Sequence, residues 1–163
     1  MTNEPLIRSA GIVDVSFGRD VQLVMPCNLY GCEIQDDCSI GPFVEIQRGV
    51  RIGRGTKVQS HSFICELVEI GEDCFIGHGV MFTNDLFRTG RPAGGDRSLW
   101  LRTRIGDGVS IGSNATILPV QICNGAVIGA GSVVTGDIIT PGIYAGAPAR
   151  LLRSVNVGRE GSP

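Results

Sequence analysis

Only two histidines occur in the 163 residues, His61 and His78. Imidazole moves protons readily near neutral pH, and it is also the commonest nitrogen ligand for zinc. A catalytic zinc held by three histidines would need one more ring than this chain carries, which leaves proton transfer as the chemistry the pair could share. Their spacing favours cooperation. The six-residue repeat described next puts His78 over Ser60 and Gly79 over His61, in layers about 4.8 Å apart, so both rings come within reach of one ligand. His61 has a second reading. It stands where the repeat otherwise places Gly, Asp or Asn, and histidine tolerates a positive φ better than most residues. Asp85 falls at the same kind of turn position, whereas Asn84 beside it has no repeat-imposed reason to be polar.

The element that must position these side chains runs from Ile34 to Met81. Large aliphatic residues stand every sixth position, at Ile34, Ile40, Ile46, Ile52, Val58, Ile64, Ile70 and Ile76. Four residues after each comes a smaller one: Cys38, Val44, Val50, Thr56, Ser62, Val68, Cys74 and Val80. Asp37, Gly49, Gly55, Asp73 and Gly79 recur three residues after the aliphatic, where a turn with positive φ is expected. No α-helix has a period of six, and a hairpin strand alternates every two. Short strands and turns wound as a solenoid satisfy every position, so the expected fold is all-β, a parallel β-helix.

Composition agrees. Glycine, at 24 residues, is roughly twice its usual share and aromatics are only 6%, as a thin coil filled by Ile and Val requires. A net charge of −2 gives no hint of nucleic acid or anionic membrane as a partner. No apolar run approaches the ~20 residues of a membrane span and no signal-peptide pattern opens the chain, which points to the cytoplasm. The six cysteines include no C-x-x-C pair and read as reduced, space-filling thiols.

Along the chain, a single domain over residues 1–163 is expected, with coils at about 23–139. Residues 1–20 show no clear repeat and are expected to cover the first coil. The repeat begins at Leu23 and Leu29, is ragged around Pro26, and stops at Phe82. An excluded loop at about 86–99 carries three arginines, and loops on a rigid scaffold often carry function; a plain surface insertion is the alternative. Hexads resume at Ile105, Ile111 and Ile117, but Ile117 to Ile122 is a step of five, so one corner near Pro119–Val120 should be tighter. Whether 99–104 is loop or coil stays open. The tail, 141–163, reads as an extended stretch leading to a short helix, then a frayed end from Ser154.

The hexads, the single loop, the run Ile128–Asp137 and the tail Gly146–Arg153 resemble the hexapeptide-repeat acyltransferases over roughly residues 23–153. The resemblance implies a left-handed coil of three flat sheets, a homotrimer, and acyl-CoA lying in the groove between neighbouring subunits. A narrower likeness rests on Asn28–Gly31, Ser60–Cys65 and Ile76–Asp85. These segments are similar to bacterial enzymes that N-acetylate the 3-amino group of UDP- or dTDP-linked amino sugars. By that likeness Thr83, Asn84, Asp85 and Arg88 hold the acceptor, and His78, His61, Asn84 and Asp85 serve catalysis, with no metal. Acetyl-CoA would be the donor. Ser113 and Ala130 would face its pantetheine arm, and Thr135, Pro148, Ala149, Arg150 and Arg153 its nucleotide end, where phosphates favour arginine. The departing CoA thiolate could take the proton in place of a histidine. Acetylation of another small acceptor and a non-catalytic scaffold are the other readings. Pro119–Val120 departs from the longer corner usual in the family.

Overall fold

The computed structural model describes residue 6 and residues 10–155. Its strands are mostly two or three residues long and stack into three sheets of seven, six and eight strands, called here A, B and C. Each strand pairs in parallel with the strand one full turn later. Ile34 sits beside Ile52 and Ile52 beside Ile70, so a full turn takes 18 residues, three hexads.

The inward columns are those the repeat marks. Ile34, Ile46, Ile52, Ile64 and Ile76 are fully buried, and so are the smaller Cys38, Val50 and Val80 between them. Four members of the small column are polar, Thr56, Ser62, Thr103 and Ser132, and the first two show how such residues tie adjacent coils together. The Thr56 hydroxyl donates to the Gly71 carbonyl at 2.8 Å and accepts from the Cys74 N–H at 3.0 Å. Ser62 does the same with the Gly77 carbonyl at 2.8 Å and the Val80 N–H at 3.2 Å. Among the described residues no buried side-chain nitrogen or oxygen lacks a partner, so the thin core carries no unsatisfied polar cost.

Every departure from the hexad falls at one corner, the passage from sheet A to sheet B. The steps Ile12 to Phe17, Leu29 to Ile34 and Ile117 to Ile122 each take five residues there. The long insertion also leaves from it, because Ile70 pairs not with residue 88 but with Ile105. No strand lies between Phe82 and Thr103, so 99–102 belongs to the loop. The loop's Arg97–Leu99 forms a 3-10 turn whose Asp96 cap accepts from the Ser98 N–H at 3.0 Å.

Two terminal expectations change. Residues 12–17 form coil strands of their own, with Ile12 beside Leu29 and Phe17 beside Ile34, rather than covering the first coil. Their repeat is hard to see because the five-residue step breaks the count. The tail forms no short helix. Arg150–Ser154 pairs antiparallel with Gly142–Ala145, which continues sheet C, so the unpaired groups of that last strand are taken by a hairpin. Residues 156–163, most of the stretch read as frayed, lie outside the described residues, as do 1–5 and 7–9.

Burial pushes the Cys65 thiol up to about 12 and Cys32 up to about 11. In the unfolded chain these thiols ionise near 9, so from there upward the folded state holds more protons than the unfolded one. Stability should therefore be level below pH 9 and fall as pH rises towards 11. Thermal melts at pH 8 and 10.5 check this, with the alkaline melt expected lower. In the native protein at pH 8, iodoacetamide should alkylate Cys123, the one thiol not buried, well before the other five.

Candidate functional site

The corner between sheets C and A stacks the residues singled out for chemistry. The Gly79 N–H donates to the Ser60 carbonyl at 2.9 Å, Asn114 N–H to His78 at 2.8 Å, and Gly131 N–H to Ser113 at 2.8 Å. Ser60, His78, Ser113 and Ala130 thus form one column, one residue per coil. Coils approach so closely here that side chains are excluded just before the column. A Cβ on Gly77 would lie 2.7 Å from the Ser113 nitrogen, and one on Gly112 would lie 2.4 Å from that of Ala130.

His78 is exposed on this corner, and its Nδ1 lies 2.8 Å from the Ser60 Oγ of the coil below. Its backbone N–H donates to the Ser113 Oγ of the coil above at 3.3 Å. The ring is therefore oriented by one nitrogen, with Nε2 directed away from that contact. A groove of about 290 Å³ lies beside it, lined by Pro42, Gln59, Ser60 and His78. His61 is held differently. Its φ of 64° is that of a left-handed turn residue, and its ring stacks on Phe43, also at positive φ, with centroids 4.8 Å apart. Both readings of His61 thus coexist, turn residue and exposed ring, but its ring is engaged with the coil below.

Thr83, Asn84, Asp85 and Arg88 are elsewhere. They follow Met81–Phe82 at the opposite end of the sheet A strand, six residues from His78 in the case of Asn84 and so at most about 20 Å along extended chain. Asn84 anchors the loop's two ends, its Nδ2 donating to the Glu66 carbonyl at 3.1 Å and its own carbonyl accepting from the Leu101 N–H at 2.8 Å. Asp85 is not a left-handed turn residue, because the chain has already left the coil. Its carboxylate accepts from the Phe87 N–H at 2.9 Å and the Ala93 N–H at 2.7 Å, folding the loop over itself. Arg88 is exposed on that loop.

The residues expected to meet the donor divide likewise. Ser113 and Ala130 lie in the His78 column, and the tail turn extends it. The Val133 N–H donates to the Gly146 carbonyl at 2.9 Å and the Ala149 N–H to the Val133 carbonyl at 2.8 Å, which sets the Gly146–Ala149 turn, Pro148 included, against Val133, three residues on from Ala130. Arg150 and Arg153 are exposed on the hairpin strand beyond. Thr135 follows Val133–Val134 and stands at the far end of sheet A, on the loop's side. Sequence reasoning overlooked Glu66. Its N–H, carbonyl and carboxylate all serve the loop base, through Gln47, Asn84 and an ion pair with Arg97. The only signal was a charge at a corner.

A wider groove, about 680 Å³, lies on sheet B and contains none of these residues. Its outward column alternates Glu33, Arg51, Glu69 and Arg104, and the charges pair with one another at 3.2 Å (Arg51–Glu33) and 3.3 Å (Arg104–Glu69). A wall whose charges are already matched, in exposed pairs worth little each, offers a ligand less than the smaller groove with its unmatched imidazole.

Two family descriptions match the coils: "Bacterial transferase hexapeptide (six repeats)" over residues 31–66, and "Hexapeptide repeat of succinyl-transferase" over 102–136. Both stretches are hexapeptide-repeat coils. Over 133 residues it is 35% identical to the bifunctional protein GlmU of Rubrobacter xylanophilus, a match covering 81% of this chain and 26% of that one. This hexapeptide-repeat chain therefore spans about a quarter of that relative's length. Among solved structures, it is similar to a galactoside acetyltransferase in complex with coenzyme A, at 31% identity and a TM-score of 0.65, covering 76% of this chain and 64% of that one. It is also similar to a hexapeptide-repeat acetyltransferase of Vibrio cholerae complexed with acetyl coenzyme A, at 26% identity and a TM-score of 0.64, covering 76% and 70%. Among the described residues, no helix is long and apolar enough to cross a membrane.

Proposed function

We propose that this hexapeptide-repeat protein is a cytoplasmic, acetyl-CoA-dependent N-acetyltransferase acting on a nucleotide-linked 3-amino sugar. The observation that carries it is the Ser60–His78–Ser113–Ala130 column, with an oriented imidazole at its middle. Likeness to structures holding coenzyme A or acetyl coenzyme A supports the choice of donor. The pantetheine arm runs along Ser113 and Ala130, and Pro148, Ala149, Arg150 and Arg153 meet the nucleotide end. Thr135, across sheet A, meets it only if the nucleotide turns over the rim.

The reaction forms an N–C bond and breaks the thioester C–S bond. The amine attacks the carbonyl carbon, its proton passes to His78 Nε2, and CoA leaves as the thiolate, which is then protonated. For Nε2 to be the acceptor, Nδ1 must carry the hydrogen and donate to Ser60 Oγ, a hydroxyl able to accept it. Asn84 and Thr83 take the far end of the acceptor, while Asp85 shapes the loop that bears Arg88. An acceptor reaching from the loop base to the imidazole must lie across the outer face of sheet A, a span suited to a sugar joined to a nucleotide.

That face also suits a neighbouring subunit. Phe63 and Met81 are outward partners on adjacent strands there, and Met81 is 42% exposed; Phe75, also 42% exposed, stands on sheet C next to them. Apolar stripes of this kind mark interfaces, and a homotrimer would supply the second wall of the groove. Titration with CoA, light scattering and an acetylation assay over UDP- and dTDP-linked 3-amino sugars test the proposal together. Expected are CoA binding, a trimer mass and turnover of a member of that panel. CoA binding with turnover only of unlinked amines or hydroxyls would move the acceptor class, and no CoA binding would leave a scaffold.

A further inference from the structure

On the outer face of sheet A, next to the loop base, stands a carboxylate that the mechanism above does not use. Glu45 accepts from Asn28 Nδ2 at 3.2 Å on one oxygen, and from Gln47 Nε2 at 3.0 Å and the Tyr30 hydroxyl at 3.4 Å on the other. Among the described residues it has no cation partner. Its donors do not meet it by chance, because both amides are locked in the donating orientation from behind. The Gly11 N–H donates to Asn28 Oδ1 at 3.2 Å, and the Glu66 N–H donates to Gln47 Oε1 at 3.3 Å. Each amide oxygen is committed, so each NH₂ must face Glu45.

The second link is to the acceptor residues. The same Glu66 that fixes Gln47 receives Asn84 Nδ2 on its carbonyl and Arg97 of the loop on its carboxylate. Glu45 is thus two hydrogen-bonded residues away from Asn84. On its other side, two residues earlier in the chain, Phe43 carries the His61 ring. In the outward column of sheet A, Glu45 stands beside Phe63 and Phe63 beside Met81, so the carboxylate lies two coils below the strand that joins His78 to Asn84.

We infer that Glu45, framed by Asn28, Tyr30 and Gln47, is an acceptor subsite whose carboxylate takes hydrogen bonds from hydroxyl groups of the bound sugar nucleotide; this rests on the acetyltransferase reading above. A carboxylate offers about four acceptor positions, and three are used, which leaves room for a ligand hydroxyl beside the Tyr30 contact. Neutral donors already stabilise the charge, so the site does not need an ammonium ion, which could not attack a thioester while protonated. Burial and the neighbouring Glu45 charge push the Tyr30 phenol up, which keeps it a donor.

The hydroxyls come either from the hexose or from the pentose, and the two nucleotide series single out the 2′-hydroxyl, because thymidine sugars lack it. Isothermal titration of the full chain with a UDP-linked and a dTDP-linked 3-amino sugar is compared for wild type, Glu45→Gln and Tyr30→Phe. Glu45→Gln should weaken binding about 10- to 100-fold, the range expected for losing charged hydrogen bonds, with CoA affinity and melting temperature nearly unchanged. A loss in the UDP series alone assigns the ribose 2′-hydroxyl, and a loss in both assigns a hydroxyl the two series share, on the hexose or at the 3′ carbon of the pentose. Equal binding by wild type and Glu45→Gln overturns the subsite while leaving the acetyltransferase reading intact. If wild type binds CoA but neither sugar nucleotide, the acceptor class and the subsite fall together. Should Glu45→Gln not fold, Tyr30→Phe decides, since unchanged binding there would count against the subsite and a several-fold loss would support it.

Discussion

Replacing His78 by Ala is expected to lower kcat by roughly two to four orders of magnitude at saturating acceptor, with CoA affinity nearly unchanged. The expectation comes from one contact. Ser60 Oγ sits 2.8 Å from His78 Nδ1, so in the tautomer with its hydrogen on that nitrogen the hydroxyl accepts it and the lone pair on Nε2 is left for the substrate amine. Ser60→Ala should then cost a smaller part of the same kcat, because the ring keeps its place through the coil but loses the hydroxyl that fixes its orientation. His61 should behave differently. Its backbone occupies φ 64°, where Ala would strain the turn, so the cleaner replacement is Asn, which tolerates that region. His61→Asn is expected to leave kcat within a few-fold and to lower stability modestly through the lost stack on Phe43. Near-wild-type kcat in His78→Ala would assign the proton to the departing thiolate. In that case Asn84→Ala becomes the damaging change, through acceptor orientation and the lost tie to Glu66.

What the sequence could show follows from which forces repeat. The inward columns were legible because every coil buries the same two positions, so Ile52 or Val80 is marked eight times over by its neighbours in the count. The His78–Ser60 stacking was legible for the same reason. Corners between A and B were not, since a five-residue step, a six-residue step and a long insertion all close the same turn of the coil. That ambiguity hid the coil at Ile12–Phe17 and the full extent of the loop. The hexad count also carried Asp85 into a turn it does not occupy, because the chain has left the coil after Phe82. Nor could a repeat-based reading find Glu45 or Glu66. Their partners sit at spacings from 2 to 31 residues, and polar networks across coils have no period of their own. The tail misled through local propensity. Ala-Arg-Leu-Leu-Arg favours a helix in isolation, but a free sheet edge beside it offered a full set of backbone partners.

Ile70→Asp should abolish the folded state. Ile70 is 3% exposed and pairs with Ile52 on one side and Ile105 on the other, so its side chain is enclosed by the coils above and below. Losing the aliphatic group forfeits about 1.5–3 kcal/mol of burial, and an isolated carboxylate in that column adds several more with no donor to meet it. Together these approach or exceed the whole stability of an ordinary domain, about 5–15 kcal/mol. The position has a further vulnerability. It lies in the last coil before the loop, so its strand has to receive Thr103–Ile105 after the insertion, and a repulsive Ile70 column leaves that long closure unrewarded. Glu69→Ala, one residue earlier on the same strand, is the control. Its carboxylate faces outward and pairs with the exposed Arg102 and Arg104, so its loss should cost no more than about 1 kcal/mol. Circular dichroism melts of the two variants give the answer: Ile70→Asp should show no cooperative transition, and Glu69→Ala should melt close to wild type. An unchanged melting temperature in Ile70→Asp would mean that the inward column is wrongly assigned.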